Sequence, residues 1–259
     1  MRNLNKQCRT ANGRFGASGG VSRPTLCVEQ PLPLSSKPQW NPPPVAKPLG
    51  RYVQFGRCAG QQNKKLMGSE KEIWKLILKE IKRVLPKTYK TFNSSADIKQ
   101  IENLEKQLSV ELPAAFKAYL QVFNGQTKRG ENFPLVGYNR FLPLKEITAI
   151  IKQQIELFGG EEPIGHITEN KVKPVFWNNL WIPFAEFNAS SRLILDLDAG
   201  KNGQNGQVIL LYPGVDMESD EIVVALSFDN FGEEFLCRLK NNEFEIENDT
   251  IQFKDEWIV

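Results

Sequence analysis

The chain has 259 residues, of which 24% are charged and 10% aromatic, with 16 prolines and one histidine. That length allows one domain with a sizeable core or two small ones. It contains no apolar run near the roughly 20 residues that span a membrane, and its N-terminus lacks the apolar stretch of a secretory signal.

The net charge of +3 averages two unlike parts. Residues 1–66 hold eleven Lys or Arg against the single acid Glu29, a net of +10, which leaves −7 for residues 67–259. The first part is rich in Gly, Pro and Ser, with Pro42-Pro43-Pro44 and Pro31-Leu32-Pro33 opposing helix and sheet alike. Its apolar residues follow neither period, so it reads as a disordered basic tail. A solvated tail, sequence upstream of an internal start at Met67, and an arm for an anionic or proline-binding partner all remain open. Cys8, Cys27, Cys58 and Cys237 have neither metal-ligand nor disulfide-framework spacing. That pattern suits a reducing compartment, and a cytoplasmic protein is expected.

From Met67 the pattern becomes helical. Ser69 and Glu72 have capping-box spacing. Ile73, Trp74, Ile77, Leu78, Ile81 and Leu85 then recur on one face, and Pro86 is expected to stop the helix. Ser94 or Ser95 is the expected cap of a second helix carrying Ile98, Ile101, Leu104 and Leu108. Pro113 opens a third, with Phe116, Tyr119, Leu120 and Phe123 inward and Asn124-Gly125 at its end. Asn132 to Tyr138 suggests a short strand and turn. Pro143 opens a fourth helix, with Ile147, Ile150, Ile151, Ile155 and Phe158 read as inward.

Residues 161–176 read as a loop leading into strands. Trp181 to Ala185, Leu193 to Asp196 and Val208 to Leu211 are apolar and strand-forming. Between the last two lie Asp196, Asp198 and a Gly/Asn-rich turn. Glu221 to Ala225 is a further strand. Ser227 caps a last helix holding Phe231, Phe235, Leu236 and Leu239, and strands at Phe244 to Glu247 and Ile251 to Phe253 close the chain. Helices and strands do not alternate strictly. The fold class is therefore α+β: a mostly antiparallel sheet with helices packed on one side, spanning residues 67–259.

Little in this pattern suggests catalysis. His166 sits between Gly165 and Ile167 with no nucleophile placed beside it, and Cys237 reads as a small buried apolar residue. Asp196 and Asp198, with Asp216 or Asp220, offer oxygens to a hard cation. Their spacing lacks the ligand series of a calcium loop, and a turn role, with Asp198 accepting turn amides, is the simpler reading. A metal-dependent hydrolase is the remotest alternative. No catalytic residue, cofactor or metal is assigned.

Two segments carry a family signature. One is Ile101 to Leu108 followed by Leu112-Pro113-Ala114-Ala115-Phe116 through Leu120 and Asn124-Gly125. The other is Trp181-Ile182-Pro183-Phe184-Ala185 with Asp196-Leu197-Asp198 and Gly206-Gln207-Val208 behind it. In this order they resemble the SUKH superfamily, which includes fungal Smi/Knr-type cell-wall synthesis regulators and bacterial immunity proteins. The resemblance covers about residues 69–247. It implies a non-catalytic binding domain: in bacteria an immunity protein against a secreted toxin, often a nuclease, and in fungi a scaffold in cell-wall or stress signalling.

The charge of −7 points to a basic protein partner, such as a toxin domain that must hold phosphates, and away from nucleic acid and membrane for the folded part. Candidate contact residues are the aromatics Phe176 and Trp177, expected to reach the surface, with Trp181 read mainly as a core anchor. Asp196, Asp198, the acidic loop Asp216, Glu218, Asp220 and Glu221, and the Glu-rich end from Glu243 complete the set.

Overall fold

A computed structural model describes residues 69–127, 135–158, 170–187, 191–211, 222–254 and 257–258. The basic segment 1–66, His166, and Asp216, Glu218, Asp220 and Glu221 lie outside the described residues. The chain divides into units Met1–Leu49 and Gly50–Val259, and every described residue belongs to the second.

Helix α1, Glu70–Val84, buries Ile73, Trp74, Ile77 and Ile81, the stripe that a 3.6-residue period requires. Its cap differs from expectation. Ser69 makes no side-chain cap bond, and the Glu72 carboxylate instead meets Lys75 Nζ at 3.4 Å. α1 ends at Val84 with Leu85 as its C-cap, as expected before Pro86; Pro86 itself opens a short helix, α2, at Pro86–Tyr89, because proline's missing N–H costs nothing in a first turn. Helix α3, Ile98–Leu108, is capped not by a serine but by Asp97. Asp97 Oδ1 accepts from Lys99 N at 2.9 Å, and Gln100 Oε1 accepts from Asp97 N at 3.0 Å. Ile98, expected inward, is exposed.

Helix α4, Ala114–Leu120, follows Pro113. Beyond it Gly125 has φ +62°, and a Cβ there would lie 2.2 Å from the Leu142 carbonyl carbon, so only glycine fits. Strand β1 is Arg140–Phe141. Helix α5, Leu144–Phe158, buries Leu144, Ile147 and Ile151; its last turn is more exposed than the periodicity suggested, with Ile155, Leu157 and Phe158 reaching solvent.

The remaining strands are β2 Trp181–Phe187, β3 Ser191–Asp196, β4 Gln207–Leu211 and β5 Val223–Ala225. They form a five-stranded sheet in the order β1-β2-β3-β4-β5, every neighbouring pair antiparallel. Helix α6, Phe228–Asn241, is capped by Ser227 Oγ, which accepts from Asn230 N at 3.1 Å. A separate hairpin joins β6 Phe244–Glu247 to β7 Thr250–Phe253. The architecture is α+β with an antiparallel sheet, as the sequence pattern indicated.

Aromatic packing holds the layers together. Phe184 of β2 meets Phe228 and Phe231 of α6 with centroids 5.2 and 5.4 Å apart, and Phe116 of α4 at 6.4 Å. Trp74 of α1 stacks on Phe228 at 5.4 Å. α1, α4 and α6 therefore close over the sheet through one shared cluster, whose ring pairs add to plain area burial.

Candidate functional site

The signature residues of β2, β3 and β4 share one cross-strand row. Trp181 lies opposite Asp196, and Asp196 lies opposite Gln207, so antiparallel pairing brings their side chains together on one sheet face. Asp196 is buried, and three donors converge on its carboxylate. Oδ1 accepts from Trp181 Nε1 at 3.1 Å and from Asp198 N at 3.0 Å; Oδ2 accepts from Gln207 Nε2 at 2.8 Å. Burial pushes the Asp196 pKa up, opposed by the donors from Gln207, Asp198 and Trp181.

Asp198 is half-buried and plays a different part from the one expected. It binds the preceding segment: Lys173 Nζ lies 2.5 Å and Asn178 Nδ2 3.0 Å from Oδ2. Burial pushes its carboxyl up, but the bonds from Lys173 and Asn178 and the Lys173 charge outweigh that and hold it below the usual aspartate range. The turn amide expected for Asp198 is its own, and it goes to Asp196.

Residues 170–180 strap over this turn. Gln207 Nε2 donates to Lys171 O at 2.9 Å, Gly200 N to Lys171 O at 3.0 Å and Asn202 N to Asn170 O at 2.9 Å. Contact is close enough that a Cβ on Gly203 would lie 1.9 Å from Lys171 O. The strap buries Trp177, which is 2% exposed and sits edge-on to Trp181 at 5.9 Å. This corrects the expectation that Trp177 reaches the surface: its apolar ring finds a partner in Trp181 once the strap closes. Among the described residues its Nε1 has no hydrogen-bond partner.

Of the candidates, then, the structure brings together Trp177, Trp181, Asp196 and Asp198, and makes the first three interior. Phe176 alone of the aromatics faces out, 51% exposed and stacked on Phe158 at 5.8 Å with Leu157 nearby in sequence. Sequence reasoning missed Lys173, Asn178 and Gln207 as partners. Gln207 carried the one usable signal, a polar residue opening an otherwise apolar strand.

It also missed a second row on the same strands. Arg140 lies opposite Glu186, and Glu186 opposite Arg192. Arg140 Nη2 donates to Glu146 Oε2 at 2.7 Å, Nη1 donates to Gln126 O at 3.0 Å, and Glu186 Oε1 lies 3.4 Å from Nη2. Arg192 Nε lies 3.9 Å from Glu186, within ion-pair but not hydrogen-bond range. These are partly buried, paired charges that fix β1 and α5 to the sheet.

The carboxylates of Asp196 and Asp198 are occupied by donors from the protein itself. Cys237, expected as a small buried apolar residue, is half-buried on α6 and disulfide-bonded. Among the described residues, no three His, Cys, Asp or Glu side chains gather to hold a metal ion, and no helix is long and apolar enough to cross a membrane.

The fold is thus an antiparallel α+β sheet whose acidic turn is sealed by its own chain. Residues 95–234 match the SMI1 / KNR4 family (SUKH-1), and the chain belongs to that family. Domains of this family are generally non-catalytic and act through protein interactions. A search of curated proteins finds no match to the chain.

Proposed function

We propose that this chain is a non-catalytic, cytoplasmic immunity protein that binds and neutralises a secreted toxin, with a basic nuclease domain as the favoured partner. The observation that carries the reading is the −7 of residues 67–259 in a chain of this family. A nuclease cleft must attract phosphates, so it is basic. An acidic domain competes for that charge and associates fast, with strong dependence on salt. Burial takes Trp177, Trp181 and Asp196 out of the contact set and leaves Phe176 exposed; Asp216, Glu218, Asp220 and Glu221, outside the described residues, stay in it on charge alone.

The test is inhibition of the toxin domain encoded beside this gene. One-to-one inhibition that weakens from 50 mM to 500 mM salt supports the reading; no binding at either salt overturns it. The cytoplasmic placement rests on cysteine spacing, and the disulfide at Cys237 counts against it. Mobility on a non-reducing gel, for protein trapped with a thiol blocker in the intact cell, decides between them.

The +10 of residues 1–66 favours a second reading, a regulatory scaffold in which that segment recruits a partner. Charge reversal across its eleven basic residues then abolishes recruitment, while an immunity protein keeps its inhibition.

A further inference from the structure

The hairpin β6–β7 turns through Asn248 and Asp249, whose φ values of 51° and 57° match a two-residue type I′ turn. Register pairs Glu247 with Thr250, Ile246 with Ile251 and Glu245 with Gln252. In such a hairpin the pair flanking the turn exchanges both hydrogen bonds, and the next pair exchanges none. The backbone groups of Glu245 and Glu247 therefore point into the hairpin, and those of Phe244 and Ile246 point out.

On β7 the outward groups of Ile251 are used: its N donates to Leu135 O at 2.9 Å, and its O accepts from Gly137 N at 3.1 Å. On β6 the outward groups are not. β6 is the edge of a two-stranded sheet, and no described residue hydrogen-bonds the outward amides or carbonyls of Phe244 and Ile246.

Free edges are ordinarily blunted by proline, lysine, a bulge or a covering segment. β6 has no proline, no lysine and no register shift. It presents Ile246, 50% exposed, between Glu245 and Glu247, both exposed. A second copy of this chain is a poor occupant, because antiparallel pairing of two β6 strands sets glutamates against glutamates.

We propose that β6 is a docking edge that takes one extended segment of a protein partner. That segment alternates Lys or Arg, set against Glu245 and Glu247, with an apolar residue against Ile246, and bonds to the outward backbone groups of Phe244 and Ile246. This is strand addition, in which main-chain bonds supply affinity and alternate side chains supply specificity. It rests on the protein-binding reading but not on the partner being a toxin, so a failed toxin assay leaves it standing.

The experiment titrates the full chain with a decapeptide alternating lysine and valine, with its glutamate–valine counterpart as control, and follows amide exchange by NMR. Slowed exchange at Phe244 and Ile246, with Glu245 and Glu247 unchanged, is the expected result for the lysine peptide alone. Ile246→Pro removes an outward donor and leaves the hairpin bonds in place; it weakens binding roughly tenfold, about what one hydrogen bond and a ring clash remove. Glu245→Lys combined with Glu247→Lys switches preference to the glutamate peptide. The proposal is overturned by equal binding of both peptides, or by slowing spread over other acidic residues. It is also overturned if Phe244 and Ile246 already exchange slowly in the free chain, which would mean that a segment of the chain itself or a second copy holds the edge.

Discussion

The indole Nε1 of Trp181 donates to Asp196 Oδ1 across 3.1 Å, whereas the neighbouring buried indole of Trp177 donates to none of the described residues. The two rings touch edge to face, so replacing either with phenylalanine removes similar volume. Trp181→Phe also leaves a buried carboxylate one donor short, and Trp177→Phe removes an unpaired N–H. Trp181→Phe is expected to be the more destabilising by about 2 kcal/mol, the cost of a lost bond to a buried charged group. Urea unfolding of the two variants measures the difference; equal losses would contradict the bonding pattern.

Asp196 has three donors aimed at it in the protein interior. Asp196→Ala leaves the Trp181 indole and the Asp198 backbone N–H without an acceptor, while the Gln207 amide keeps Lys171 O. A loss of about 2–5 kcal/mol is expected, the cost of leaving two buried donors without acceptors. Thermal unfolding followed by far-UV circular dichroism reads it, and a loss below 1 kcal/mol would mean that water replaces the carboxylate.

The two aspartates respond to pH with opposite sign. The Asp198 pKa is lowered in the folded state, so its contribution is complete above the ordinary value of 3.8 and is lost as pH falls through the folded value. The Asp196 pKa is raised, so ionisation costs the folded state stability as pH rises from 3.8 through the folded value. The stability gap between the parent and Asp198→Asn should therefore shrink as pH is taken from 6 towards 3. Denaturant midpoints at pH 6, 4.5 and 3 test this; a gap that widens in acid would reverse the assignment.

Gly203 and Gly206 sit in the same turn but forbid side chains for different reasons. A Cβ on Gly203 runs into the Lys171 carbonyl, whereas Gly206 has φ +92° and open space around it. Gly206→Ala is expected to cost about 1 kcal/mol of backbone strain. Gly203→Ala displaces the strap and costs more, with increased fluorescence quenching of Trp177 by acrylamide as a second readout. Unchanged quenching would show that the strap accommodates the methyl group without lifting.

The layers of this fold were legible in the sequence because period is local. The α1 stripe of Ile73, Trp74, Ile77 and Ile81 and the α6 stripe of Phe231, Phe235 and Leu239 are buried as spacing required. What escaped depended on distant chain. Trp177 is interior because residues 170–180 fold back over a turn some thirty residues on, and no window around Trp177 contains that turn. The exchange of roles between Asp196 and Asp198 has the same origin: Lys173 and Asn178 claim Asp198, which leaves Asp196 to take the amide. The α3 cap was present in sequence as Asp97 and Gln100, but two preceding serines of similar capping preference masked it. Leu157 shows the converse. At 64% exposure it is an apolar residue left outside, and periodicity alone does not say where a helix outruns its sheet.

The order β1-β2-β3-β4-β5 makes the sheet a meander, each strand beside its neighbour in sequence. For β2, β3 and β4 the connections are short, so their pairing closes small loops and costs little chain entropy. The strap 170–180 meets β4 through Gln207 Nε2 and Lys171 O, a contact between residues 36 apart. Contacts of that separation close larger loops than the β2–β3 hairpin does, which is expected to place the strap among the later elements to form. Substitutions in the strap should then speed unfolding while leaving the refolding rate almost unchanged.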